Sequence, residues 1–124
     1  ESFLYLYSNK FSGNVPSQFG QLTKLTRIFS VYSNSLTGSI PSQLGMMTLI
    51  TEWFLMNSNK LCGEIPSEVS IMSSTIAGFD ITTGNSLGSL CPNATYVPTT
   101  SPTISPTTWQ PSIIPTPLPT SLPT

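Results

Sequence analysis

Histidine is absent from this 124-residue chain. Without it no Ser–His or Cys–His relay can be drawn, so the commonest nucleophilic chemistries are excluded. Charge is also scarce, at 7% of residues with a net charge of −1. The basic side chains Lys10, Lys24, Arg27 and Lys60 are spread along the chain and form no patch. Nucleic acid is therefore not a partner, because binding it requires clustered cations to neutralise phosphates. Two cysteines without histidine do not make a metal site, and the sequence implies no cofactor. No apolar run reaches the ~18 residues that a bilayer span needs; the apolar-rich stretch 45–56 is short and carries Glu52. The carboxylates Glu1, Glu52, Glu64, Glu68 and Asp80 form no recurring pair, so they read as solvated surface charges and the chain as a non-enzyme.

What is present is a repeat. Tyr7-Ser8-Asn9-Lys10-Phe11-Ser12-Gly13-Asn14-Val15-Pro16 returns as Tyr32-Ser33-Asn34-Ser35-Leu36-Thr37-Gly38-Ser39-Ile40-Pro41, and then as Asn57-Ser58-Asn59-Lys60-Leu61-Cys62-Gly63-Glu64-Ile65-Pro66, in steps of 25 residues. Such a period is the signature of a stacked solenoid. Apolar columns follow the same step: Leu4, Phe29 and Phe54; Leu6, Val31 and Met56; Phe11, Leu36 and Leu61; Val15, Ile40 and Ile65. One repeat holds too few apolar side chains to make a core, so stability must come from stacking them as ladders.

Each repeat has a readable grammar. Leu4-Tyr5-Leu6-Tyr7 and Phe29-Ser30-Val31-Tyr32 alternate with the period of a strand. Asn9, Asn34 and Asn59 follow the strand; a buried Asn carries donors and an acceptor, so the three are expected to form a hydrogen-bonded ladder. Proline after Val15, Ile40 and Ile65 withdraws an N–H, which keeps that segment out of a sheet interior. The stretches 17–22 and 42–47 fit a short helical turn that begins after Pro and ends at Gly.

The pattern L-x-L-x-x-N-x-L-x-G-x-I-P-x-x-L-G-x-L resembles the plant-type extracellular leucine-rich repeat over residues 1 to about 92. That type occurs in ectodomains of receptor-like kinases and receptor-like proteins, in polygalacturonase-inhibitor-like proteins and in secreted algal proteins. This chain's repeat is one residue longer than the usual unit, the extra residue falling near Thr26-Arg27-Ile28 and Thr51-Glu52-Trp53. The resemblance implies an α/β-type solenoid, a right-handed superhelix with short parallel strands on its concave face. It also implies an extracellular, cell-surface or cell-wall location.

Residues 76–92 continue the array in degenerate form, so 1–92 reads as about three full repeats and a terminal one. Phe79 and Ile81 keep the strand columns, but Asn85 is one residue late. The chain starts close to a strand, leaving Leu4, Leu6 and Phe11 as an expected open end and suggesting a fragment of a larger array. Residues 93–124 read as a disordered Pro/Thr/Ser-rich stalk or linker, with no charge in 97–124 and the composition of O-glycosylated stalks. Asn93-Ala94-Thr95 is the single N-glycosylation sequon. Cys62 and Cys91 leave two alternatives. They pair if the chain doubles back, since register places residue 87 rather than 91 opposite Cys62. Otherwise Cys62 is a small buried apolar group and Cys91 pairs elsewhere.

Function then rests on binding. Residues flanking the buried ladder positions point out from the concave face, which nominates Tyr5, Tyr7, Ser30, Tyr32, Ser33, Trp53, Asn57 and Asp80 as a surface for a protein, peptide or glycan. The competing explanation for the tyrosines is plain strand propensity. A second function class is a structural or adhesive wall protein, with the repeats as a rod and the Pro/Thr segment as tether.

Overall fold

The structure, a computed structural model, describes residues 1–92. The Asn93 sequon and the Pro/Thr-rich segment lie outside the described residues. Four coils stack so that two parallel sheets run along the array. The first sheet joins β1 (Phe3–Tyr5), β3 (Ile28–Ser30), β5 (Trp53–Leu55) and β7 (Gly78–Asp80). Its register is set by the repeat: Leu4 lies opposite Phe29, Phe29 opposite Phe54, and Phe54 opposite Phe79. Backbone bonds carry the ladder past the strand ends, from the Leu6 N–H to the Ser30 carbonyl and from the Ser8 N–H to the Tyr32 carbonyl. The strands thus begin one residue earlier than the alternation suggested.

The second sheet is a departure from the single concave sheet expected. It joins β2 (Ser12–Asn14), β4 (Ser35–Gly38), β6 (Lys60–Gly63) and β8 (Ser86–Leu87). Proline does not prevent it, because these strands end before Pro16, Pro41 and Pro66. Gly38 and Gly63 close β4 and β6, and Gly13 stands within β2, at φ values of +78°, +79° and +86°, where a Cβ would be strained.

Prolines in extended conformation then lead into short helical turns. Those of the first two coils, Ser17–Gln21 and Ser42–Met46, are 3-10 turns, with the Phe19 N–H bonded to the Pro16 carbonyl and the Leu44 N–H to the Pro41 carbonyl. Gly20 and Gly45 sit inside these turns rather than ending them. A Cβ on Gly20 would come 2.2 Å from the Gln43 carbonyl oxygen, and one on Gly45 would come 2.6 Å from Glu68. Glycine is required there because adjacent turns touch. Where Ser70 takes the equivalent place in the third coil, the segment becomes α1 (Ser67–Ser70) and continues as a 3-10 turn, Ile71–Ser74.

The core is a set of ladders between the sheets and the turns. Phe29, Phe54 and Phe79 stack at 5.0 and 5.5 Å between ring centroids, and Phe19 meets Phe29 edge-on at 5.4 Å. Leu44, Met47, Met56, Leu61 and Val69 are fully enclosed around them. Each such side chain contributes roughly 1.5–3 kcal/mol on burial. Leu4 and Leu6 are half-buried and Phe11 is exposed at the first coil.

The asparagines stitch the coils together. Asn34 donates to the Leu6 and Val31 carbonyls, and its Oδ1 accepts from the Phe11 N–H. Asn59 repeats this one coil on, with Val31, Met56 and the Leu36 N–H. Asn9 bonds only within its own coil, to the Leu6 and Tyr7 carbonyls, and is exposed. Asn85 joins the ladder despite its late position: it donates to Met56 and Ile81 and accepts from the Leu61 N–H. The extra residue is taken up just before it. Asp80 Oδ1 accepts from the Thr82 and Thr83 N–H groups, and Gly84 turns at φ +72°. In the other coils the turning residue is Ser8, Ser33 or Ser58, each in the left-handed region at φ 54–56°.

Cys62 and Cys91 form a disulfide, with Cα atoms 5.0 Å apart. The four-residue offset is resolved by a reversal after β8. Gly88 turns at φ +87°, the Ser89 N–H returns to the Ser86 carbonyl, and the Gly63 N–H bonds the Ser89 carbonyl. The chain thereby leads Cys91 back to the third coil.

Candidate binding face

Strand geometry decides what the first sheet displays. Successive side chains alternate, so Leu4, Phe29, Phe54 and Phe79 point inward while their neighbours point to the other side. The outer side carries three columns across the coils: Phe3, Ile28, Trp53 and Gly78; Tyr5, Ser30, Leu55 and Asp80; then Tyr7, Tyr32 and Asn57, with Thr83 rather than Thr82 continuing the backbone ladder. Phe3, Tyr5, Tyr7 and Trp53 are between 42% and 53% exposed, which is high for aromatic side chains held on a sheet. Phe3, Tyr5, Tyr7 and Tyr32 form a contiguous strip, and Trp53 shares a depression with the three tyrosines. Phe3 stacks on Tyr5 at 5.6 Å, Tyr5 meets Tyr7 edge-on at 5.8 Å, and Tyr7 stacks on Tyr32 at 4.9 Å with the rings nearly parallel.

Gly78 determines where Trp53 lies. A Cβ built on Gly78 would fall 2.0 Å from the six-membered ring of the indole. The ring therefore occupies the space that a side chain on the next coil would fill, with glycine beneath it. Sequence reasoning missed Gly78; the signal was the break in a column that otherwise reads Phe3, Ile28, Trp53.

The nominated residues are not equivalent. Tyr5, Tyr7, Tyr32, Trp53 and Asn57 share the outer side of the first sheet, and Asp80 stands beside them at its far edge. Ser30 is buried, 1% exposed, and its Oγ has no hydrogen-bond partner among the described residues. It is overlaid by its larger neighbours rather than presented to solvent. Ser33 is half-buried at the turn off the strand, where its role is conformational.

Two shallow depressions lie side by side on this face. One, of about 280 Å³, is walled by Tyr5, Tyr7, Tyr32 and Trp53 with Ser30 at its floor. The other, of about 410 Å³, is walled by Tyr32, Trp53, Asn57 and Asp80. Tyr32, Trp53 and Leu55 belong to both. No lysine or arginine lines either one, and Asp80 is the single charged group.

The chain's one basic centre near the sheet is neutralised. Arg27 Nη1 lies 2.9 Å from Glu1 Oε1, and Arg27 also pairs with Glu52 on the next coil. The hydrogen bond that Arg27 donates to the Glu52 carboxylate holds its guanidinium above its ordinary pKa, with the charges of Glu52 and Glu1 adding to it. The spacing of Arg27 and Glu52, one repeat apart, carried this pairing in the sequence. Among the described residues no cluster of His, Cys, Asp or Glu is arranged to hold a metal ion, and no helix is long and apolar enough to cross a membrane.

Known proteins place this geometry. The leucine-rich repeat family profile matches residues 2–22. No curated protein matches the sequence. Solved structures do. The TDR receptor superposes with a TM-score of 0.61 at 29% identity, over 69% of this chain and 14% of that one. The BIR2 ectodomain from Arabidopsis thaliana gives 0.55 at 30% identity, over 64% and 40%. A chain of the BIR3–SERK2 complex, also from Arabidopsis thaliana, gives 0.56 at 30%, over 68% and 44%. The chain thus spans less than half the length of each of these receptors. Its coils have the leucine-rich repeat fold and are similar to those of these receptor ectodomains.

Proposed function

We propose that these coils are a non-catalytic extracellular recognition module that binds a protein, peptide or glycan through the outer side of the first sheet. The observation that carries the reading is the aromatic strip. Tyr5, Tyr7, Tyr32 and Trp53 lie together on a surface that the core does not need. Tyr and Trp supply stiff apolar area with a polar handle, and such residues dominate binding energetics. The similarity to receptor ectodomains supports the extracellular setting, and one of those structures is itself a complex between two proteins.

The alternative is a structural or adhesive wall protein. What favours it is the uncharged Pro/Thr-rich composition of 97–124, suited to a tether. The full chain, immobilised, and its Tyr7→Ala/Tyr32→Ala variant are to be screened against secreted peptides, receptor ectodomains and wall oligosaccharides. Capture by the parent chain that is lost in the variant is the expected result. Retention of every captured ligand by the variant overturns the reading.

A further inference from the structure

We infer that the second depression is a cation subsite: it takes the guanidinium or ammonium of a basic side chain from a peptide partner. This rests on the recognition reading above and adds the chemistry of the ligand. Three observations meet there. Trp53 and Tyr32 wall the depression, and Trp53 is 48% exposed. The indole lies over Gly78, so one ring face is seated on backbone. An aromatic face attracts a cation through its quadrupole, and Trp does so best.

The second observation is Asp80. It is on the same strand as Gly78 and two residues along, so its side chain leaves the same side of the sheet roughly 7 Å away. Trp53 and Asp80 line the same depression, so a cation held there meets both the indole and the carboxylate. Asp80 Oδ1 is committed to the Thr82 and Thr83 N–H groups, which fixes the carboxylate and leaves Oδ2 as an acceptor. The third is charge complementarity. No lysine or arginine lines either depression, and the nearest arginine is paired with Glu1 and Glu52. An incoming cation meets one unopposed negative charge and aromatic faces; an incoming anion meets no donor of opposite sign. An uncharged sugar would use the rings but leave the carboxylate's charge unused.

The test uses the isotopically labelled full chain and three probes: N-acetyl-arginine amide, N-acetyl-citrulline amide and an uncharged glucan oligosaccharide. Citrulline keeps the shape of arginine and removes the charge. The Trp53 indole and Gly78 amide signals report occupancy. The arginine probe is expected to shift both, and to bind about tenfold more tightly than citrulline, as loss of one charge-assisted contact implies. Asp80→Asn is expected to remove that preference. Its amide oxygen can still accept from Thr82 and Thr83, so the fold at the site is retained. Equal binding of arginine and citrulline, or a preference unaffected by Asp80→Asn, overturns the inference. If the oligosaccharide alone moves these signals, the cation subsite fails while the recognition face stands. If no probe moves them, the subsite fails, and ligand capture by the full chain decides the face separately.

Discussion

The Oδ1 of Asn59 accepts a hydrogen bond from the backbone N–H of Leu36, at 3.0 Å, across the boundary between two coils. The same side chain donates to Val31 on the earlier coil and Met56 on its own. The Val31 and Met56 carbonyls also accept from Asn34 and Asn85, so Asn59→Ala leaves the buried Leu36 N–H as the group without its partner and is expected to cost about 1–3 kcal/mol. Asn9→Ala, at an exposed position with bonds only inside its own coil, is expected to change stability by less than about 1 kcal/mol. Urea unfolding of both variants checks the contrast; equal effects would refute the coil-bridging account.

Gly45 answers to a different constraint. Its missing Cβ leaves room for the Glu68 backbone at 2.6 Å. Gly45→Ala is expected to destabilise by about 1–3 kcal/mol through overpacking. Gly88→Ala has no neighbour within 4 Å, but its φ of +87° imposes a backbone penalty of about 1–2 kcal/mol. A crystal structure of Gly45→Ala should show the two helical turns moved apart.

Reduction of the Cys62–Cys91 disulfide opens a loop with a sequence separation of 29. The expected loss is about 2–4 kcal/mol. It should be concentrated in the last coil, because Cys91 ties the segment after β8 to β6. Hydrogen exchange of the Gly63 and Gly88 amides, which bond Ser89 and Gly63, is the direct readout. Uniform loosening of all coils would contradict this.

Arg27 gives a pH expectation. Its pKa is raised in the folded chain, so the stabilisation is complete below its unfolded pKa and is lost only as pH rises through the folded one. That window lies in strongly alkaline solution. Between neutrality and pH 10, a melting-temperature series should show no loss attributable to Arg27, and Arg27→Met should follow the parent curve in shape.

How far the sequence revealed this molecule depends on which interactions repeat. The Phe29–Phe54–Phe79 stack and the Asn34–Asn59 ladder were legible because the same side chain recurs at the same step. The second sheet was not, because its partners, Ser12 with Ser35, Gly13 with Leu36 and Thr37 with Lys60, fall out of step with the 25-residue repeat, and its bonds are backbone bonds. Gly20 and Gly45 were visible as glycines, but their cause was misread as termination when it is contact between turns. On the candidate face, Tyr7 and Tyr32 followed from alternation. Ser30 did not, since alternation gives direction and not depth: its small side chain sinks among Tyr5, Tyr32 and Trp53.

Asn85 stands one residue late in the sequence yet on time in space. Asp80 makes the difference by gathering the surplus residue against its own carboxylate. The array therefore keeps time by bonds closed from coil to coil, and the count of residues between them is free to drift wherever an acidic side chain can act as a clasp. Relatives of this chain with coils of unequal length can stay in phase by the same device, and a sequence ruler of fixed length would discard them.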